Sequence, residues 1–330
     1  FVFITGEAGL GKSRLTAELK VSLDLSAIKI LEGQSLAYRR WVSYWIIREI
    51  LYGYLGLHPY TAPTSQISER LGRYVYQLMG GMAAEMLPYL ENLLALPYSD
   101  LAMGERLKHL DARQLRQQTF LAVRDLFLLE SYKRPLLIIM EDLHWADEAS
   151  LELLLFLLDS VQQSPLFILA ISRSVLPGQL EKVVSWAQKN LADRFQQIPL
   201  QNLSLDQSDQ LLQLLLSIPD LPEQLRQQVL QRAAGIPFYL EEILRMLIDN
   251  DILLGENGHW KIRPGADVST LGVPNTLQEL IMARFDRLTN IQRRVLQIAA
   301  VIGKDFSLPV LHSVMQSPEI PLLRVTIDSL

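Results

Sequence analysis

The stretch Gly6-Glu7-Ala8-Gly9-Leu10-Gly11-Lys12-Ser13 constrains this chain more than any other. A short β-rich run, Phe1–Thr5, precedes it, and a helical pattern follows with Leu15, Leu19 and Leu23 at a spacing of four. Gly-x-x-x-x-Gly-Lys-Ser between a strand and a helix reads as a phosphate loop; a chance glycine turn would not supply the strand–loop–helix order. Glycines let the backbone wrap phosphates with its N–H groups inward, and the positive end of the helix dipole adds attraction. Gly6, Glu7, Ala8, Gly9, Leu10, Gly11 and Arg14 are then candidates for the nucleotide cradle. Lys12 is placed to neutralise the β- and γ-phosphates, and the Ser13 hydroxyl to ligate Mg²⁺.

Two further strand ends carry chemistry. Pro135–Met140 is an unbroken apolar run, the pattern of a buried parallel strand, and it ends in Glu141 and Asp142. A phosphate-loop enzyme needs a carboxylate at the end of a neighbouring strand for the Mg²⁺ shell, and a second can position or deprotonate the attacking water. Alone, two acids at a strand end would be a solvated rim; with the loop upstream, both are candidate catalytic and metal residues. Leu166–Ile171 is a second buried strand, closing on Ser172 and Arg173. Arg173, at the tip of the strand beside the acidic one, can reach a γ-phosphate; the plainer reading is an arginine capping the sheet. His144 is open between a γ-phosphate sensor and a loop histidine held by hydrogen bonds, the second preferred. Asp147 reads as the N-cap of a leucine-rich helix over 150–161, and Trp145 as packing.

Strands alternating with helices predict an α/β core with a parallel sheet and flanking helices. Ile28–Leu31 is a further strand, 44–57 and 111–131 are helical, and 58–65 is a Pro/Thr/Ser loop. From Leu203 to about Asn250 only helices are legible, with breaks near 219–222 and at Gly235-Ile236-Pro237. A small hairpin is expected around Gly255–Gly258, a linker over Pro264–Pro274, and helices again from Thr276.

Composition narrows the function classes. Across 330 residues the chain is 49% hydrophobic and 20% charged, ample for buried cores. Its net charge of −5 argues against a general nucleic-acid surface. It has no cysteine, hence neither disulfides nor thiolate metal sites, which fits a reducing cytoplasm. No apolar run approaches the ~20 residues of a membrane span, so no membrane partner is expected. The chain opens inside a strand and stops inside a helical pattern, the expectation for a module of a longer protein.

Five stretches, in addition to GEAGLGKS, carry a family resemblance: SLAYRRWVSYWIIREIL, LDARQLRQQTFLAVRDLF, MEDLHWADEASLELL, GIPFYLEEILRMLID and VPNTLQELIMARFDRLTNIQRRVLQIAAVIGKDF. Together they resemble signal-transduction ATPases with numerous domains, the STAND class, relatives of the AAA+ ATPases. The nearest resemblance is to the module attached to bacterial class III adenylate/guanylate cyclases, then to that of large LuxR-type regulators. The resemblance implies a P-loop ATPase core over 1–202, an all-α lid with the hairpin and linker over 203–271, and a truncated winged-helix domain over 272–330. It implies ATP/ADP and Mg²⁺ as cofactors, with Pro237 near the adenine. It also implies an output domain (cyclase, kinase or DNA-binding) outside this stretch and a nucleotide-dependent homo-oligomer. Glu141 departs from the family's Asp at the first acidic position; a methylene longer, it can still bind Mg²⁺, and slow hydrolysis is the expectation.

Three functions compete. A regulatory ATPase switch needs differential binding to two states rather than fast turnover. A non-hydrolysing nucleotide scaffold shares every binding residue with it. A replication-initiator-like DNA-binding ATPase requires a basic recognition face, yet from Gly272 onward Arg284, Arg287, Arg293, Arg294, Lys304 and Arg324 are nearly balanced by Glu279, Asp286, Asp305, Glu319 and Asp328. That balance speaks against direct DNA binding by this stretch.

Overall fold

A computed structural model of the chain describes residues 1–57, 62–160, 164–216, 222–256, 259–263, 276–302 and 308–315. They divide into two compact units, 1–8 with 12–200, and 9–11 with 201–330.

The first unit is built on five parallel strands, β1 (Val2–Thr5), β2 (Lys29–Gln34), β3 (Leu136–Glu141), β4 (Leu166–Ser172) and β5 (Gln196–Pro199), in the order β2-β3-β4-β1-β5. β3 and β4 are unbroken apolar runs because both their faces are covered. Phe3, Ile138, Met140, Ile168 and Ala170 pack on one face with Ile46, Ile50, Leu126, Phe127, Leu154 and Val183. Those partners come from helices α2 (Trp45–Leu55), α6 (Ala112–Lys133), α7 (Glu148–Leu158) and α8 (Gly178–Asn190). Ile4, Leu137, Ile139, Leu169 and Ile171 fill the other face with Leu19 of helix α1 (Lys12–Ser22) and with Leu23 and Ile28 beyond it. Between α2 and α6 the chain inserts α3 (Thr64–Met79), α4 (Ala83–Leu93) and α5 (Leu101–Lys108). The Pro/Thr/Ser loop gives way to α3 at Thr64, earlier than expected, because Pro63 serves as N-cap; 58–61 lie outside the described residues.

One topological expectation is corrected. The acidic strand β3 is not the neighbour of the loop-bearing strand β1; β4 lies between them, pairing Leu166–Ala170 with β3 and Leu169–Ser172 with β1. At about 4.8 Å per strand, roughly 10 Å of sheet separates the β1 and β3 tips, and the end of β4 stands in that gap.

The second unit holds α9 (Leu205–Leu216), α10 (Glu223–Ala233) and α11 (Pro237–Asp249). They pack through Leu212, Leu225, Val229, Leu240, Ile243 and Leu247. The expected hairpin forms as β6 (Leu253–Glu256) antiparallel to β7 (His259–Ile262). Helices α12 (Leu277–Arg287), α13 (Asn290–Ile302) and α14 (Leu308–Met315) follow, with Val295 and Leu311 buried against each other's neighbours. The expected linker at 264–274 and the C-terminal 316–330 lie outside the described residues. Among the described residues no helix is long and apolar enough to cross a membrane.

Candidate functional site

β1 delivers the chain into the glycine loop, and α1 begins at Lys12. Gly9 and Gly11 have φ of +85° and +89°, the left-handed region that strains any residue with a Cβ. These two positions are therefore fixed as glycine by backbone geometry. Lys12 folds back over the loop, its Nζ donating to the carbonyls of Gly6 (2.6 Å) and Glu7 (2.8 Å). Burial lowers the Lys12 pKa, and Arg173 pushes it the same way, while Asp142 and Glu7 oppose them. Lys12, Asp142, Arg173 and Glu7 thus share one electrostatic neighbourhood.

The remaining loop candidates are less committed. Ser13 is exposed on the first turn of α1, Glu7 and Ala8 are exposed, and Leu10 is half-buried. Arg14 is drawn along the helix into an exposed ion pair with Glu18 at 2.6 Å, so the structure does not bring it to the other candidates.

At the acidic strand, Glu141 closes β3, half-buried, and its carbonyl accepts the Ser35 N–H at 3.0 Å. Asp142 then turns into the left-handed region (φ 55°, ψ 39°), unusual for a residue with a Cβ. The two carboxylates are thereby separated in role: one ends a strand, the other projects from a turn. Asp142 Oδ2 accepts the Gln34 Nε2–H at 2.7 Å. Gln34 is itself anchored through its backbone, its N–H to Glu49 Oε2 (2.8 Å) and its carbonyl to the Trp45 indole N–H (3.1 Å). Sequence reasoning missed Gln34; the signal was a polar residue closing β2, and its position opposite Glu141 becomes visible only with the register.

β4 ends on Ser172, fully buried, with an Oγ that has no hydrogen-bond partner among the described residues, followed by exposed Arg173. The Arg173 guanidinium lies 6.0 Å from the centre of the Trp145 ring, and the His144 ring 5.0 Å from it. The hydrogen bonds expected from the sequence for this loop histidine are not seen among the described residues: both His144 nitrogens are shielded from solvent and neither has a partner there. Its pKa is lowered, by burial above all and also by Arg173 and Lys12, against Asp142 and Glu7.

Asp147 resolves as architecture. Only 8% exposed, it caps α7 by accepting the Ser150 N–H (2.9 Å), and it also accepts the Ser150 hydroxyl (2.6 Å) and the N–H groups of Tyr44 (2.8 Å) and Trp45 (3.1 Å). It thereby pins Tyr44, whose φ is 62°, at the start of α2. Asp147→Ala removes a cap and strands buried donors, a loss of about 3 kcal/mol. Melting followed by circular dichroism should then fall by about 5–10 °C.

Residues 1–169 match the family described as the AAA ATPase domain. The chain belongs to that family. In this AAA ATPase, residues 204–261 further match a domain of unknown function, DUF8739. Among solved structures, the chain is similar to a signal transduction ATPase with numerous domains that carries a tetratricopeptide repeat sensor, from Pyrococcus horikoshii. The likeness has a TM-score of 0.45 at 12% identity and covers 98% of this chain and 36% of the other, so this AAA ATPase spans about a third of that protein's length. No curated protein matches the chain.

Pro237 takes the first helical position of this AAA ATPase's α11, where its missing N–H costs nothing. It stands between two residues that meet the loop glycine of the same unit: the Phe238 N–H donates to the Gly9 carbonyl at 3.2 Å, and a Cβ at Gly9 would lie 2.9 Å from Ile236 Cγ2. The donor set also suits Mg²⁺. Among the described residues no cluster of His, Asp and Glu forms a cage of its own. A serine hydroxyl and strand-end carboxylates are the hard oxygen donors that Mg²⁺ accepts when it arrives with phosphates.

Proposed function

We propose that this AAA ATPase domain binds ATP at the loop formed by residues 6–13, hydrolyses it slowly, and acts as a nucleotide-dependent switch in a multidomain bacterial signalling protein of the STAND class. The observation that carries the reading is the gathering of Lys12, Asp142, Arg173 and Glu7 into one charged neighbourhood beside a loop whose Gly9 and Gly11 require positive φ. Lys12 exchanges the carbonyls of Gly6 and Glu7 for phosphate oxygens. Ser13 and Glu141 would hold the Mg²⁺ that accompanies the nucleotide, and that ion would supply charge neutralisation at the phosphates. Asp142, oriented by Gln34, positions the attacking water, and Arg173 offsets charge developing on the transferred phosphoryl group.

Slow turnover follows from the same features. Gln34 engages one oxygen of Asp142, and Glu141 is a methylene longer than aspartate. Nucleotide state then governs the helices over 203–271 as a lid and the winged-helix region that begins at about 272, coupled to an output domain. Adding ATP with Mg²⁺ should give a different oligomer size from ADP with Mg²⁺ in light scattering; identical sizes in both would count against the switch. A scaffold that holds nucleotide without hydrolysis is the second reading, favoured by the same Gln34 contact to Asp142. Phosphate release above the Lys12→Ala background decides between the two.

A further inference from the structure

Glu242 lies in the middle of α11 and is only 4% exposed, on a helix that also buries Tyr239, Leu240, Ile243 and Leu247. A carboxylate at that depth has lost its water and persists only while it is paired. Among the described residues two guanidiniums serve it. Arg284 of α12 donates from Nη1 to Glu242 Oε2 at 2.6 Å, while Arg245, one turn further along α11, stands 3.6 Å from Oε1. The closer partner thus belongs to another helix. One turn on along α12, Arg287 donates to Asn250 Oδ1 at 2.7 Å, at the C-cap of α11. α12 is therefore tied to α11 by two polar contacts, the first part-buried and the second exposed.

The start of α11 meets Gly9, which belongs to the same unit. Its N-cap residue, Ile236, supplies no side-chain cap, and the Phe238 N–H donates to the Gly9 carbonyl at 3.2 Å. The approach is close: a Cβ on Gly9 would lie 2.9 Å from Ile236 Cγ2 and 3.3 Å from Phe238 Cβ. In a trans peptide the Gly9 carbonyl and the Leu10 N–H point opposite ways on one rigid plane. Drawing that N–H toward a phosphate turns the carbonyl, and the start of α11 must follow or let go.

We propose that Glu242 is the joint through which a change at the phosphate loop reaches α12. The inference rests on the nucleotide-binding reading above and names the contact that carries its effect onward. Phe238 and Glu242 stand four residues apart, one turn on the same face of α11, so the two contacts share one rigid element. Arg245 makes the joint reversible: when α12 withdraws, the carboxylate passes from Arg284 to Arg245 and is not stranded. Two discrete pairings of one buried charge give two arrangements, which is what a switching element needs.

Hydrogen exchange followed by mass spectrometry reads the loop and α12 in one experiment. It compares the wild-type chain with the double variant Glu242→Gln/Arg284→Met, which removes both charges and leaves neither buried alone. With Mg²⁺ and a non-hydrolysable imido analogue of ATP, wild type should exchange more slowly over residues 6–13. Its exchange over α12 should change by about 5-fold or more, the scale of ordinary coupling between sites. The double variant should keep the loop protection and lose the α12 response. A response that persists in the double variant overturns the proposal, and so does a wild type whose loop is protected while α12 is unchanged. Should the double variant fail to fold, Glu242→Gln, which removes the charge and keeps the shape, carries the same comparison. If the analogue leaves the wild-type loop unprotected, the nucleotide reading itself fails and takes this proposal with it.

Discussion

Lys12→Ala should weaken ATP binding by about 100-fold, because it removes the one loop cation whose hydrogen bonds to charged phosphate oxygens are each on the scale of about 1.5–3 kcal/mol. The gross gain on binding is larger than the net. Lys12 already donates to Gly6 and Glu7 at 2.6 and 2.8 Å, and both bonds are surrendered when it turns to phosphate. The loop backbone, shaped by Gly9 and Gly11, still offers its N–H groups, so binding should be weakened rather than abolished. Titration calorimetry of the two proteins measures the ratio. Retained affinity would mean that the ligand sits elsewhere. The fold should be nearly indifferent, since the lost bonds are local, from Lys12 to the carbonyls of Gly6 and Glu7 in the same loop.

Asp142→Asn should reduce turnover by about 100-fold or more while changing ATP affinity little, because a positioned base acts on the reacting water and not on the bound phosphates. The substitution is a clean probe: an amide oxygen at this position still accepts the Gln34 N–H, so the 2.7 Å contact and the left-handed turn can persist. A parallel loss of affinity and turnover would instead place Asp142 among the binding groups. Glu141→Gln makes the natural comparison, since the strand-end acid is assigned to the metal and its loss should appear first as a weaker response to Mg²⁺.

Much of the core was legible because burial writes itself into sequence. β3 and β4 are covered on both faces, so they read as unbroken apolar runs, and Glu141 and Arg173 mark their ends. The phosphate loop was legible because its glycines answer to backbone geometry. β5 escaped notice since it is an edge strand, Gln196–Pro199, with only Ile198 turned inward to the Leu137 cluster. The helices α5 and α8 were also unread; α8 buries only Leu180, Val183, Val184 and Ala187 of its 13 residues. Local pattern carries no information about strand order, which is why β4 came between the loop and the acids unannounced. Gln34 and the unmatched nitrogens of His144 belong to the same class: each is defined by a neighbour far away in sequence, across a register or a packed turn. The αL conformation of Asp142 is a property of the turn, and an aspartate after a glutamate does not announce it.

A structure of the chain determined with a non-hydrolysable ATP analogue and Mg²⁺ tests the central claim most directly. The account predicts the triphosphate along the backbone of residues 8–13, with Lys12 Nζ moved from the carbonyls of Gly6 and Glu7 onto phosphate oxygens. A saturated crystal in which Lys12 still holds those carbonyls, with the nucleotide bound away from the loop, would contradict it.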